Sequence, residues 1–112
     1  MNDFIKVVQP IGLLTGNNAK QLRYQIDDLV NTGVNIVLVD MENVKFIDSA
    51  GLGVLIAAQR IAKLANSKVC LCSINQQVKM LFELNRMDRF FEIFIDREEF
   101  KNKAVLTESY VE

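Results

Sequence analysis

The run Val34-Asn35-Ile36-Val37-Leu38-Val39 constrains this chain more than any other stretch. Its β-branched residues and Leu follow one another without the polar alternation of a half-wet strand. Such a strand is covered on both faces, as in parallel sheets flanked by helices. The run stops at Asp40, and from Val54-Leu55-Ile56-Ala57-Ala58 the chain continues into a helical pattern. The stretch Asp40-Met41-Glu42-Asn43-Val44-Lys45-Phe46-Ile47-Asp48-Ser49-Ala50-Gly51-Leu52-Gly53 therefore reads as a strand-to-helix connection at the carboxyl end of a core strand. In open α/β sheets that edge is where ligands and partners are met. Ser49 stands at the joint, with Asp48 before it and Gly51 and Gly53 close behind.

The remaining elements arrange themselves around that strand. Phe4 to Gln9 is strand-like, Pro10 suits a turn or an edge because it lacks a backbone donor, and Ile11 to Leu14 resumes the strand character. The pair predicts a hairpin of two edge strands. Thr15 to Asn18 is a loop with helix-capping residues at its end. Leu22, Ile26, Leu29 and Val30 then recur at helical spacing, and Gly33 fits a C-cap. The second helix is expected from about Ala50 to Ala65, apolar nearly all round in its first half, with Gln59, Arg60 and Lys63 on its wet side. Val69 to Cys72 predicts a strand. A third helix follows, capped by Ser73 in a box with Gln76 or by Asn75, with Val78, Leu81, Phe82 and Asn85 on one face. A short strand within Asp88 to Ile95 and a short helix begun by Asp96 and ending at Phe100 complete the order ββαβαβαβα. Strand–helix–strand crossovers of one hand place the strands parallel in one sheet. Phe90, Phe91 and Phe94 are expected as core beneath the last helix.

With 112 residues, half of them apolar, the chain is long enough for one domain with a core that needs no disulfide or metal. Lys+Arg 13 against Asp+Glu 14 leaves a net charge of −1, which argues against direct nucleic-acid binding and for protein partners. Met1-Asn2-Asp3-Phe4 has no charged region followed by an apolar one, and the apolar run Ala50–Ala58 is too short for a bilayer. No signal peptide, no membrane span and a cytoplasmic location are expected. Cys70 and Cys72 alternate onto one face of a strand and read as buried structural thiols, since a metal site needs further ligands and the chain has no histidine.

The same absence of histidine leaves Ser49 without a base to make it a nucleophile, and Asp48 alone is a weak activator. Gly51-Leu52-Gly53 lacks the spacing and the lysine of a phosphate loop. Ser49 thus reads as a substrate hydroxyl, as the N-cap of the second helix, or as both. The glycines are compatible with close approach of a partner, with Leu52 projecting between them, and equally with tight helix–sheet packing that buries Leu52.

The stretch Asp40–Gly53 resembles the signature of the STAS domain, and within that superfamily it is most similar to the anti-sigma factor antagonists of bacteria. Their pattern is a polar strand end, an apolar pair, then Asp-Ser-Ser-Gly-Leu-Gly, here Phe46-Ile47-Asp48-Ser49-Ala50-Gly51-Leu52-Gly53. The resemblance extends from Phe4 to about Phe100. It implies a single STAS-like α/β domain over 1–112, a mixed, mostly parallel sheet packed with about four helices, and a C-terminal tail from about 101 that frays. It also implies a regulator rather than an enzyme, without a cofactor. Unphosphorylated, such a protein binds an anti-sigma factor that is itself a serine kinase; phosphorylation releases it, and a metal-dependent serine phosphatase resets it. The phosphorylated serine follows the Asp, which maps to Ser49; the second serine of the pattern is Ala50 here. Where the family often reads Gly-x-Leu-Asp, this chain has Gly12-Leu13-Leu14-Thr15. The resemblance places partner contact at Thr15, Asp48, Ser49, Ala50, Gly51, Leu52 and Gly53. The alternative within the superfamily is a scaffold or sensor module docked in a larger assembly.

Overall fold

The computed structural model describes residues 5–105, so Phe4 and the end of the expected tail, residues 106–112, lie outside the described part. The strands are β1 (Ile5–Val8), β2 (Gly12–Leu14), β3 (Ile36–Asp40), β4 (Val44–Ile47), β5 (Lys68–Cys72) and β6 (Glu92–Phe94). The helices are α1 (Gly16–Asn31), α2 (Ser49–Leu64), α3 (Gln76–Leu84) and α4 (Arg97–Phe100). A 3-10 turn at Met87–Arg89 precedes β6, and a π-helical turn at Lys101–Val105 continues α4, so the first part of the expected tail is helical.

The α/β class, the four helices and the mostly parallel sheet are as expected. Every strand pairing recorded among the described residues is parallel. Four strands lie in the order β1-β3-β5-β6, while β2 and β4 form a separate pair. Two expectations need correction. The first two strands are not a hairpin: β1 pairs with β3 and β2 with β4. The signature stretch is also more than a connection, because it contains β4, making the order ββαββαβαβα.

All five residues of β3 are buried, as its unbroken apolar run requires. One face of the sheet supports a core built on Val37, Val39, Val69 and Leu71. On it pack Leu22, Ile26 and Val30 of α1, Leu55, Ala58 and Ala62 of α2, and Val78 and Phe82 of α3. The opposite face carries a smaller cluster of Ile36, Leu38, Cys70 and Cys72, closed by Phe94 and Phe100. Cys70 and Cys72 do share that face, as free, buried thiols. The aromatic trio is divided between the layers. Phe91 meets Phe82 with ring centroids 5.9 Å apart, Phe94 meets Phe100 edge to face at 5.3 Å, and Phe90 is half exposed.

Gln59 departs from expectation. It is 5% exposed instead of lying on the wet side of α2. Its Oε1 accepts the Val69 amide at 2.8 Å, and its Nε2 donates to the carbonyls of Val69 at 3.0 Å and Phe90 at 2.6 Å. A buried carboxamide is tolerated because its donor and acceptor are both used. At the far end of β3, buried Asp40 is likewise provided for. It accepts from Arg97 Nε at 2.6 Å, from Gln9 Nε2 at 3.2 Å and from the Glu42 amide at 3.0 Å. The Arg97 bond fastens α4 to the carboxyl end of the sheet.

Candidate functional site

β2 and β4 deliver two helix N-termini to one place. Leu14 is opposite Ile47 in register. The next residues, Thr15 and Asp48, are the N-caps of α1 and α2, and both have extended backbones. α1 and α2 then pack side by side. Neither helix has an acidic residue in its first turn. The Asp48 amide donates to the Leu14 carbonyl at 3.5 Å, which ties the two caps together.

The cap of α2 is Asp48, not Ser49. Its Oδ1 accepts the Gly51 amide at 2.9 Å, satisfying one of the four N–H groups a helix leaves without an internal acceptor. Its carboxylate also complements the positive end of the helix dipole. Ser49 is the first helical residue, and Ser49 and Ala50 are both exposed. The Ser49 hydroxyl therefore faces solvent one residue past a committed carboxylate. Such a hydroxyl is accessible to a modifying enzyme, while the only adjacent acid is occupied as a cap.

The motif residues separate by burial. Leu52 is 5% exposed and belongs to the main core, so it does not project toward a partner between the glycines. Gly51 is buried, and the reason for glycine there is internal: a Cβ would overlap the Leu14 carbonyl oxygen and sit 2.7 Å from Ile47 Cγ1. Gly53 is exposed, and a Cβ built on it meets nothing within 4 Å. The accessible set is thus Ser49, Ala50 and Gly53, flanked by half-buried Asp48 and Thr15. Thr15 makes no side-chain cap bond, and the expected loop from Thr15 to Asn18 is instead the start of α1, where Asn18 Nδ2 donates to the Leu13 carbonyl at 3.0 Å. Leu13 and Phe46, opposite each other in β2 and β4, are 51% and 42% exposed and extend this surface with apolar area.

Sequence reasoning missed the residues that support the joint from α3. Asn75 caps α3, its Oδ1 accepting the Val78 amide at 2.9 Å, and its Nδ2 donates to the carbonyls of Val44 and Lys45, each at 3.1 Å. Gln77 bonds Ile47 with both ends of its carboxamide. Only Asn75 left a trace in the sequence, as a capping residue. Among the described residues no group of His, Cys, Asp and Glu is arranged to hold a metal, and no helix is long and apolar enough to cross a membrane.

The site is thus an exposed serine at the mouth of a capped helix in a small parallel α/β module. The chain belongs to the STAS domain family, whose sequence model matches residues 2–100. It is 21% identical over 91 residues to the anti-sigma F factor antagonist of Paenibacillus polymyxa, covering 80% of this chain and 78% of that one. The fold is similar to that of the anti-sigma factor antagonist SpoIIAA in its unphosphorylated form, with a TM-score of 0.75 at 18% identity over 90% of this chain and 89% of that one. It is also similar to the STAS domain of a SulP transporter from Vibrio cholerae, with a TM-score of 0.78 at 16% identity over 100% of this chain and 88% of that one.

Proposed function

We propose that this protein is a phosphorylation-switched anti-sigma factor antagonist. Unphosphorylated, it binds an anti-sigma factor that is a serine kinase, freeing a sigma factor for transcription. The kinase transfers phosphate to Ser49 and the complex dissociates; a metal-dependent serine phosphatase restores the binding form. The observation that carries this reading is the exposed Ser49 hydroxyl at the first position of α2, beside Asp48. The relatives named anti-sigma factor antagonists support it, as does a fold shared with a protein solved in both unphosphorylated and phosphorylated forms.

The switch works by local electrostatics. A phosphoserine adds about −1.5 to −2 charges. A partner surface fitted to a neutral hydroxyl meets that charge and its bulk next to the Asp48 carboxylate. An acidic group of the partner brought to about 4 Å from that phosphate costs about 4 kcal/mol at an effective dielectric near 20. Realising half of that weakens binding roughly thirtyfold. Incubation with ATP and the co-purifying anti-sigma kinase, followed by intact mass and peptide mapping, tests the assignment. One phosphate on Ser49 is expected. Phosphate on Ser73 or Ser67 with Ser49 unmodified overturns it; Ser67 is 7% exposed and its hydroxyl donates to the Asn35 carbonyl. A second reading, a STAS scaffold in a larger assembly, is favoured by the likeness to a transporter's STAS domain, and absence of any phosphate transfer would select it.

A further inference from the structure

The outer edge of β4 is closed by side chains instead of a strand. In a parallel pair, the residue whose amide and carbonyl both bond its neighbour lies opposite a residue whose own groups point away. Leu14 is opposite Ile47, and the Leu14 carbonyl takes the Asp48 amide. The Ile47 N–H and C=O accordingly point to the edge away from β2. Both meet Gln77: the Ile47 amide donates to Oε1 at 3.3 Å, and Nε2 donates to the Ile47 carbonyl at 3.3 Å. A carboxamide offers a donor and an acceptor in one plane, as a peptide group does, so Gln77 supplies what a further strand would. Asn75 occupies the same edge upstream, at Val44 and Lys45. The clamp has a rigid base, because the next residue, Val78, and Phe82 one turn on are both 0% exposed.

We propose that Gln77 is a positioning residue for the phosphoacceptor. It fixes the Ile47–Asp48 peptide, so that Asp48 caps α2 and Ser49 is presented in one orientation, and it ties that orientation to α3. The part concerning presentation to a kinase rests on Ser49 being the switch residue; the geometric part does not. Without the clamp, the Ile47 groups lose their partners two residues before Ser49, and the end of β4 is held from one side only.

Two variants test this. Gln77→Met keeps the length and removes both bonds; Gln77→Glu keeps an acceptor for the Ile47 amide and, ionised, loses the donor. Amide hydrogen exchange and amide chemical shifts are read on the unphosphorylated full chain, with no kinase present. In Gln77→Met, exchange at Ile47 should rise about fivefold, the factor one hydrogen bond of typical net strength implies. Shifts should move from Ile47 to Gly51, while Val37 and Leu71 keep their exchange rates. In Gln77→Glu the Ile47 amide should stay protected while the shifts from Asp48 to Gly51 still move. Unchanged exchange and shifts at Ile47 to Gly51 overturn the proposal, as does a rise spread evenly over β3 and β5. With ATP and the co-purified kinase, at a temperature where both proteins are folded, Gln77→Met should lower kcat/KM for Ser49 about tenfold; an unchanged kcat/KM overturns the presentation role. If wild-type Ser49 takes no phosphate, the functional reading fails, and the exchange result alone decides the positioning.

Discussion

Gly51 and Gly53 stand in the same first turns of α2, and replacing each by alanine should shift stability in opposite directions. In Gly51→Ala the new Cβ would overlap the Leu14 carbonyl oxygen and press on Ile47 Cγ1 at 2.7 Å. The obstacle is backbone, so no rotamer change relieves it. The mouth of α2 must retreat from β2 until the carbon and oxygen are about 3.5 Å apart. That motion stretches the hydrogen bond from the Asp48 amide to the same carbonyl, already 3.5 Å long. Overpacking of this kind costs about 1–3 kcal/mol, and the lost hydrogen bond about 1 kcal/mol. The gain in helix propensity returns about 1 kcal/mol. The net loss is about 1–3 kcal/mol, or roughly 4–12 °C in Tm for a domain of this size. Gly53→Ala meets nothing within 4 Å and should keep the propensity gain, stabilising by about 0.5–1 kcal/mol. Urea denaturation of the two variants and wild type measures both. A Gly51→Ala protein as stable as wild type refutes the packing argument, and a destabilised Gly53→Ala refutes the account of open space. The pair also separates folding from recognition: if a partner approaches the backbone at Gly53, Gly53→Ala should bind the anti-sigma factor more weakly while melting higher.

Asp48→Ala should lose about 1 kcal/mol through the missing cap, whereas Ser49→Ala should lie within about 0.5 kcal/mol of wild type in the same urea titration. Gln59→Leu should cost about 3 kcal/mol, because it strips the Val69 and Phe90 backbone groups of a buried partner; a loss below about 1 kcal/mol in urea would contradict that role. Burial pushes the Cys70 thiol up to about 12, against the lowering influence of Lys68, and raises Cys72 as well. Neither thiol should react with iodoacetamide in the native protein at pH 8 by mass spectrometry. The folded state favours the protonated thiols, so their contribution is full below about pH 9 and declines as pH rises toward 12, which urea midpoints at pH 8 and pH 10 can follow.

The parts of the fold that were legible in the sequence are those where one physical demand acts alone. Val37, Leu38 and Val39 had to be covered on both faces, and nothing in the run says otherwise. β4 was hidden because Val44-Lys45-Phe46-Ile47 is buried only at its ends, so neither the alternation of a half-wet strand nor the continuity of a buried one appears. Leu52 and Gly51 were ambiguous because a glycine spared for a partner and a glycine spared for Leu14 look identical in sequence. Gln59 falls between Leu55 and Ala62 on the buried stripe of α2, beside Ala58, so its spacing marks it as buried although its polarity suggests a wet position. Gln77 left no signal, since its role exists only once α3 is laid along the edge of β4.

The arrangement at the joint also explains how a phosphate could be accepted without loss of the fold. Ser49 and Ala50, as the first two helical residues, have amides with no acceptor inside α2, while the third amide, of Gly51, is taken by Asp48. An anion at a helix mouth is stabilised by such amides and by the dipole. A phosphate on Ser49 can use the two amides that Asp48 leaves, so it need not displace the cap. What remains is repulsion between phosphate and carboxylate at an exposed site, which solvent screens. The phosphorylated domain should therefore stay within about 1 kcal/mol of the unmodified one. Its amide shifts should change near Thr15 and from Asp48 to Val54, and not in the Val78–Phe82 segment. Were the shifts to reach that segment and β6, the switch would be a rearrangement of α3, and the electrostatic account of release would give way to a conformational one.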